Sequence, residues 1–545
     1  MRLTNTVIGL LTAAIVIYRI FGFDDSAPPK LVVYIVVDQM REDTIDRFGD
    51  LFSGGFRYLM DNGVYFSETR HAQAYTVTLA AHFSLATGVH PGREGLTGNY
   101  VYDRVANQMF YPVTDTLSKI ISSELKPMSY RNINKPTIGD ILKETDNQSK
   151  VFSVAGKDRT AVLMGGKHPD GVFWTNGGAE YVTSSYYMDS YPDWLIEFNK
   201  SRPLHKYFGT VWERLIPDEK LYLERCREDE YPPEATSSWD DSTTFPHKIP
   251  SYSEGEEPNY DLFWDFPWVD HVTIDLSELI IKEEQLGRDR HPDMLMVGIS
   301  MTDGVGHRFG PFSQESMDLF LRLDIKLGEF FDFIDKEVGL ENTLIVLTSD
   351  HGSAPMPEHS TAQGHTAGRF GKRYRIMKSV INTRLAEKWG EGEYIEKIAN
   401  GSLFYDLDLL VEKGLNQEEL NRVVIPQLLE EEWVEKVYTR EQLSSDEPLD
   451  YDGQLLKNQF HPKWSGDLFL INKEYYVLRS SVGTTHGTPY DYDTHVPLFF
   501  SGNNFDNRVI QDSIETVDIA PTIAEILGIF FNGVDGRVLE LGESN

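Results

Sequence analysis

The sequence predicts an α/β protein with a mostly parallel central sheet and cap-like insertions. Three observations point there. Four runs are apolar almost throughout, as strands covered on both faces are: LVVYIVV (31–37), DMLMVGISM (293–301), NTLIVLTS (342–349) and VPLFFSG (496–502). An amphipathic segment at 318–338 lies between the second and third, where a crossover helix belongs. Three of the runs lead into an acid: Asp38, Asp303 after one threonine, and Asp350. Ligands of open α/β sheets collect beyond the carboxyl ends of the strands, so these acids stand where chemistry is usually done.

In chain order, residues 1–30 read as a signal or anchor segment and linker. Arg2 precedes an apolar stretch from Val7 to Ile17, a length that suits a signal h-region better than a full span. No clean A-x-A cleavage site follows, so an uncleaved anchor over 7–17 is the alternative. Core pieces are expected at 31–194, 276–374 and 481–545. Between them, 195–275 is rich in Tyr, Trp, Pro, Asp and Glu, and 375–480 has an acidic helical pattern. Both read as insertions that roof the site.

Composition narrows the partners. With 51 Lys+Arg against 85 Asp+Glu the formal charge is −34. Phosphate neutralisation, which dominates nucleic-acid binding, would then have the wrong sign, so neither nucleic acid nor an anionic membrane surface is expected as a partner. Cys226 is the only cysteine, which rules out an internal disulfide, a thiolate zinc site and an iron–sulfur cluster. Metals, if used, must be held by His, Asp and Glu.

Singly, an Asp after a strand is often a helix cap and a lone His a packed residue. Together they form a pattern. SMTDGVGHRFGP spaces Asp303 and His307 four apart, SDHG pairs Asp350 with His351, and VGTTHGTPYDYDTHVP supplies His486 just before a core strand. With Asp38 these are three carboxylates and three imidazoles, a donor set that favours zinc over calcium or magnesium. In QAYTVTLAAHFSLATGVHP, threonines 76 and 78 precede a helix-like segment. A hydroxyl there is either an ordinary cap or a nucleophile beside helix amides that also attract an anion.

The ordered motifs VVDQMR, YTVTLAAHFSLATG, GLTGNYVYD, GKDRTAV, TDGVGHRFGP, TSDHGS, THGTPYDYDTHVP and VDIAPTIAEILGI resemble the alkaline phosphatase superfamily, in the branch with a threonine nucleophile. The resemblance covers most of the chain and is weak over about 195–275 and 375–455. It implies an alkaline-phosphatase-like three-layer sandwich with two Zn2+ ions. It selects Thr78 as nucleophile, and it groups Asp303, His307 and His486 on one zinc and Asp38, Asp350 and His351, with the Thr78 oxygen, on the other. Asn99, Lys157 and Arg159 fall where the monoesterase branch contacts phosphoryl oxygens. One departure stands out: Glu94 precedes Gly95 where many relatives have His. His82, His90, His359 and His495 read as supporting residues.

The function expected is phosphate monoester hydrolysis through a phosphothreonine, acting on small-molecule esters as an exported monomer. A phosphodiesterase or nucleotide pyrophosphatase on the same metals is the alternative. A non-catalytic metal-binding surface protein is a third.

Overall fold

The computed structural model describes residues 28–542, apart from 122, 178–179, 254–257 and 503–504. The N-terminal stretch read as a signal or anchor lies outside the described residues. Among those described, no helix is long and apolar enough to cross a membrane.

Each of the four apolar runs forms a strand of one ten-stranded sheet. In chain order its strands are β1 (Leu31–Val37), β2 (Gly63–Arg70), β3 (Val151–Ala155), β4 (Gly171–Asn176), β5 (Glu180–Val182), β6 (Asp293–Ile299), β7 (Thr343–Thr348), β8 (His495–Gly502), β9 (Arg508–Ile510) and β10 (Ile514–Glu515). Across the sheet the order is β9-β2-β8-β7-β1-β6-β3-β4-β5, with β10 also on β2. β1 is central and pairs in parallel with β6 and β7. Only β8 and β5 oppose the common direction.

The continuous apolar runs follow from this burial. Leu31, Val33, Ile35 and Val37 join an apolar cluster on one face of β1, while Val32, Tyr34 and Val36 join another. Helices α1 (Thr78–Thr87), α2 (Asp158–Gly165) and α6 (Ile519–Ile526) cover the second face. Helices α3 (Trp268–Glu283) and α5 (Gln314–Glu337) cover the first, giving three layers. Helix α4 (Met301–Phe309) springs directly from β6.

Two boundaries differ from the expectation. The run at 293–301 stops being a strand at Ile299. The Asp270 carboxylate of α3 accepts the amides of Ser300 at 2.7 Å and Met301 at 3.0 Å, so α4 starts there and Asp303 sits in its first turn. The segment read as helical from 318 starts at Gln314, because Ser313 Oγ caps it by accepting from Ser316 N at 3.0 Å. Moreover β6 and β7 are not neighbours, so the connection through α5 spans β1.

Residues 375–480 carry a separate antiparallel sheet, its strands Ile395–Ala399, Ser402–Tyr405, Leu468–Asn472 and Val434–Thr439 in spatial order. It has its own apolar cluster around Leu385, Tyr394, Leu403 and Leu420. Residues of 195–275 pack into the main core. Trp212, Tyr222 and Phe263 are fully buried there. Trp212 Nε1 and Tyr222 O–H donate to Asp318 of α5 at 2.6 and 2.8 Å. The same stretch abuts α4 so closely that a Cβ on Gly304 would overlap the Trp264 carbonyl.

Candidate active site

The site lies at the carboxyl edge of the central strands. Asp38 follows β1, Asp350 and His351 follow β7, and Asp303 and His307 lie one turn apart on α4, which continues β6. A four-residue spacing puts both α4 side chains on one face. His486 arrives from the loop before β8. The structure gathers these six into two groups whose ligand atoms lie within 4.8 Å of one another: Asp38, Asp350 and His351, and Asp303, His307 and His486. The groups adjoin. The His351 and His486 rings stack with centroids 3.6 Å apart.

Each histidine is oriented by its other nitrogen. His351 Nδ1 lies 2.9 Å from Gly352 O, His307 Nδ1 2.9 Å from Thr484 O, and His486 Nδ1 2.6 Å from Thr76 O. At His351 and His486, donating Nδ1–H to the carbonyl leaves Nε2 with a lone pair directed inward, the arrangement typical of metal-ligating histidines, whereas His307 Nδ1 also faces the donor Arg479 Nη2 at 2.9 Å. Burial drives the imidazoles toward the neutral form, His486 down to about 3 and His351 and His307 also below the ordinary value. Asp38 Oδ1, Asp350 Oδ2 and His351 Nε2 are buried and find no hydrogen-bond partner. Burial pushes Asp38 up to about 7 despite Lys157, and it holds Asp350 well above the usual carboxylate range, with the Asp38 charge adding to the effect. Asp303 is buried as well, but His307, Lys157 and His486 hold it well below the usual carboxylate range. Unpartnered oxygens and neutral imidazoles facing one another in a buried site suit divalent cations, so the residues present fit a metal pair.

Thr78 opens α1 and is buried. Its hydroxyl does not cap the helix, since the N-cap is Val77 and no side chain caps it. Thr76 spends its hydroxyl on Thr488 O at 3.3 Å. Of the two threonines, then, Thr78 is the one with no such structural bond. His82, one turn on, places Nδ1 2.8 Å from Thr78 O and 3.4 Å from Asp350 Oδ2, which ties the start of α1 to the Asp38 group. Asn99 Oδ1 accepts from Leu79 N at 2.9 Å, leaving its amide N–H groups for another partner.

Lys157 is the N-cap residue of α2, and its Nζ bridges the two groups, 2.5 Å from Asp38 Oδ2 and 2.6 Å from Asp303 Oδ2. Arg159, on the same turn, is held charged despite burial by Tyr111 and Asp158, and its Nε has no partner. Glu94, the departure from the motif, accepts instead from Asn134 N at 3.0 Å.

Sequence reasoning missed Gln39. Its backbone adopts φ 63°, its N–H donates to Asp350 Oδ1 at 3.1 Å, and its Nε2 donates to Asp303 Oδ1 at 2.7 Å. One residue thus links a carboxylate of each group. It follows Asp38 directly, but an amide beside an acid carries no signal without the positive φ. It also missed Asp270, whose carboxylate starts α4.

Six hard or borderline donors in two adjoining groups, a buried hydroxyl at a helix start and a basic pair, all at one sheet edge, define a metal-dependent phosphoester hydrolase on a three-layer α/β sandwich. The chain belongs to the type I phosphodiesterase / nucleotide pyrophosphatase family, whose pattern matches residues 32–496. It is 32% identical over 520 residues to the alkaline phosphatase PafA of Elizabethkingia meningoseptica, covering 93% of each chain. It is 31% identical over 509 residues to the alkaline phosphatase PhoV of Synechococcus elongatus, covering 92% of this chain and 90% of that one. The crystal structure of wild-type PafA superposes with a TM-score of 0.88 over 95% of this chain and 99% of PafA.

Proposed function

We propose that the protein is a phosphate monoester hydrolase that works through a phosphothreonine at Thr78, with two zinc ions held by the Asp38, Asp350, His351 group and the Asp303, His307, His486 group. The mixed imidazole and carboxylate donors, with no thiol, favour zinc. Bound cations would supply Lewis-acid stabilisation of the attacking and departing oxygens. The rest is the work of the chain. Thr78 Oγ forms a bond to phosphorus as the ester oxygen leaves with the bonding pair and takes a proton. Water then cleaves the phosphothreonine, regenerating the hydroxyl and releasing inorganic phosphate. Asn99 and Arg159 offer N–H donors to the nonbridging oxygens.

The observation that carries monoester over diester chemistry is Lys157, a buried cation standing between the two groups with Arg159 two residues on in the same turn. A monoester dianion carries more charge on its nonbridging oxygens than a diester, and charge placed there favours its transition state. The relatives named alkaline phosphatase support the same reading. The family match favours a second reading, diester or pyrophosphate cleavage on the same donors.

Rates on an aryl monoester and its matched diester separate the two. Monoester cleavage should be the faster. Lys157→Ala and Arg159→Ala should each lower monoester kcat/KM by about 10²–10³-fold and the diester value much less, while Thr78→Ala should remove turnover of both. Faster diester cleavage, or Lys157→Ala and Arg159→Ala without effect on the monoester, would point to the second reading.

Export follows from Arg2 and the apolar stretch 7–17, and the strongly negative charge supports small esters over nucleic acid as substrates. We take the working form to be a monomer. Cell fractionation and light scattering test these two points.

A further inference from the structure

Where the 375–480 insertion meets the core, a cleft of about 80 Å³ ends on His486. Its walls are Tyr75, Tyr374, Trp433, Leu478 and the backbone at Gly487. Among the described residues no Asp, Glu, Lys or Arg lines it, although the chain carries 136 such residues (51 + 85). Its aromatic rings are fixed. Tyr75 O–H donates to Gly401 O at 3.2 Å and Leu470 O at 3.0 Å, and Trp433 stacks on Phe370 with centroids 4.3 Å apart. Trp433 is only 4% exposed, yet its indole N–H finds no acceptor. Leu478, at 45% exposure, leaves an apolar side chain open to solvent.

The direction of the cleft relative to the reacting atoms gives it a role. Phosphoryl transfer is roughly in line, so the leaving group departs opposite the nucleophile. On the monoesterase reading Thr78 Oγ is held with the Asp38, Asp350, His351 group, which His82 also meets at Asp350 Oδ2. The opposite side is the Asp303, His307, His486 group, and the cleft begins at His486. Resting on the monoesterase reading, we propose that this cleft is a leaving-group subsite for flat, uncharged aromatic alcohols. The Tyr374 ring and the Leu478 side chain supply apolar and stacking contact.

The test compares a coumarinyl phosphate, a fused aromatic ester with a ring carbonyl, with methyl phosphate. The ratio of their kcat/KM values should fall about tenfold in Tyr374→Ala and in Leu478→Asp. Ratios unchanged in all variants would overturn the proposal. Binding of the free hydroxycoumarin, read by its fluorescence, is independent of turnover. Saturable binding weakened by Tyr374→Ala and Leu478→Asp is expected, and no saturable binding would overturn the subsite. Should no monoester be hydrolysed at all, the monoesterase reading fails and the fluorescence result alone decides the cleft.

Discussion

Gln39 and Gly306 show how the two donor groups are held in register. The Gln39 amide reaches Asp303 only by lying across α4 at Gly306, where an added Cβ would overlap Gln39 Oε1. Gly306→Ala should therefore push the amide off Asp303 and lower monoester kcat/KM by about 10–100-fold, since small misplacements of positioned groups are costly. Gln39→Ala should give a similar loss, and the double variant little more than either alone, because both act through one contact. Additive losses in the kinetic cycle would contradict this coupling. At this scale the donors themselves were readable, because Asp and His at strand ends in motif order stand out. Gln39 was not, since its role depends on a left-handed backbone conformation and a glycine far away in sequence.

At the scale of elements, the segment 195–275 shows why a strip rich in polar and aromatic residues read as an insertion. Its acids do not all face water. Glu234 is buried against Glu315 of α5, with Asp229 near and Arg227 paired to it. Burial, with the Glu315 charge, pushes the Glu234 carboxyl up to about 9 from an ordinary 4.5. A carboxyl whose folded value is raised takes up a proton on folding, so its contribution is complete below pH 4.5 and is lost as pH rises toward 9. Glu234→Gln should remove that loss, so the Tm difference between variant and wild type should shift in favour of the variant as pH rises across this window. A pH-independent difference in calorimetry would show that Glu234 is not protonated in the fold. The four strands were legible because continuous apolar runs leave few alternatives. The start of α4 was not, because its cap comes from Asp270 on another helix, outside any local window.

At the scale of the whole molecule, strands from distant parts of the chain bring Asp38, Asp303, Asp350 and His486 together, with Lys157 bridging two of the carboxylates and Arg159 and Arg479 nearby. Cations bound there would tie three core segments together, so stability and activity should depend on the same metal. Chelation should abolish monoester turnover and lower Tm, and added zinc should restore both, with calcium or magnesium restoring less. Full turnover after exhaustive chelation would remove the metal from the account. The sandwich was legible in the motif order, whereas the cleft was not, because its walls come from Tyr75, Phe370, Trp433 and Leu478, which no periodicity groups. The decisive measurement is anomalous diffraction at the zinc edge from the zinc-loaded protein. Two peaks are predicted, one bonded to Asp38, Asp350 and His351 and one to Asp303, His307 and His486, with Thr78 Oγ beside the first. A single peak, or zinc bound away from these six side chains, would contradict the account.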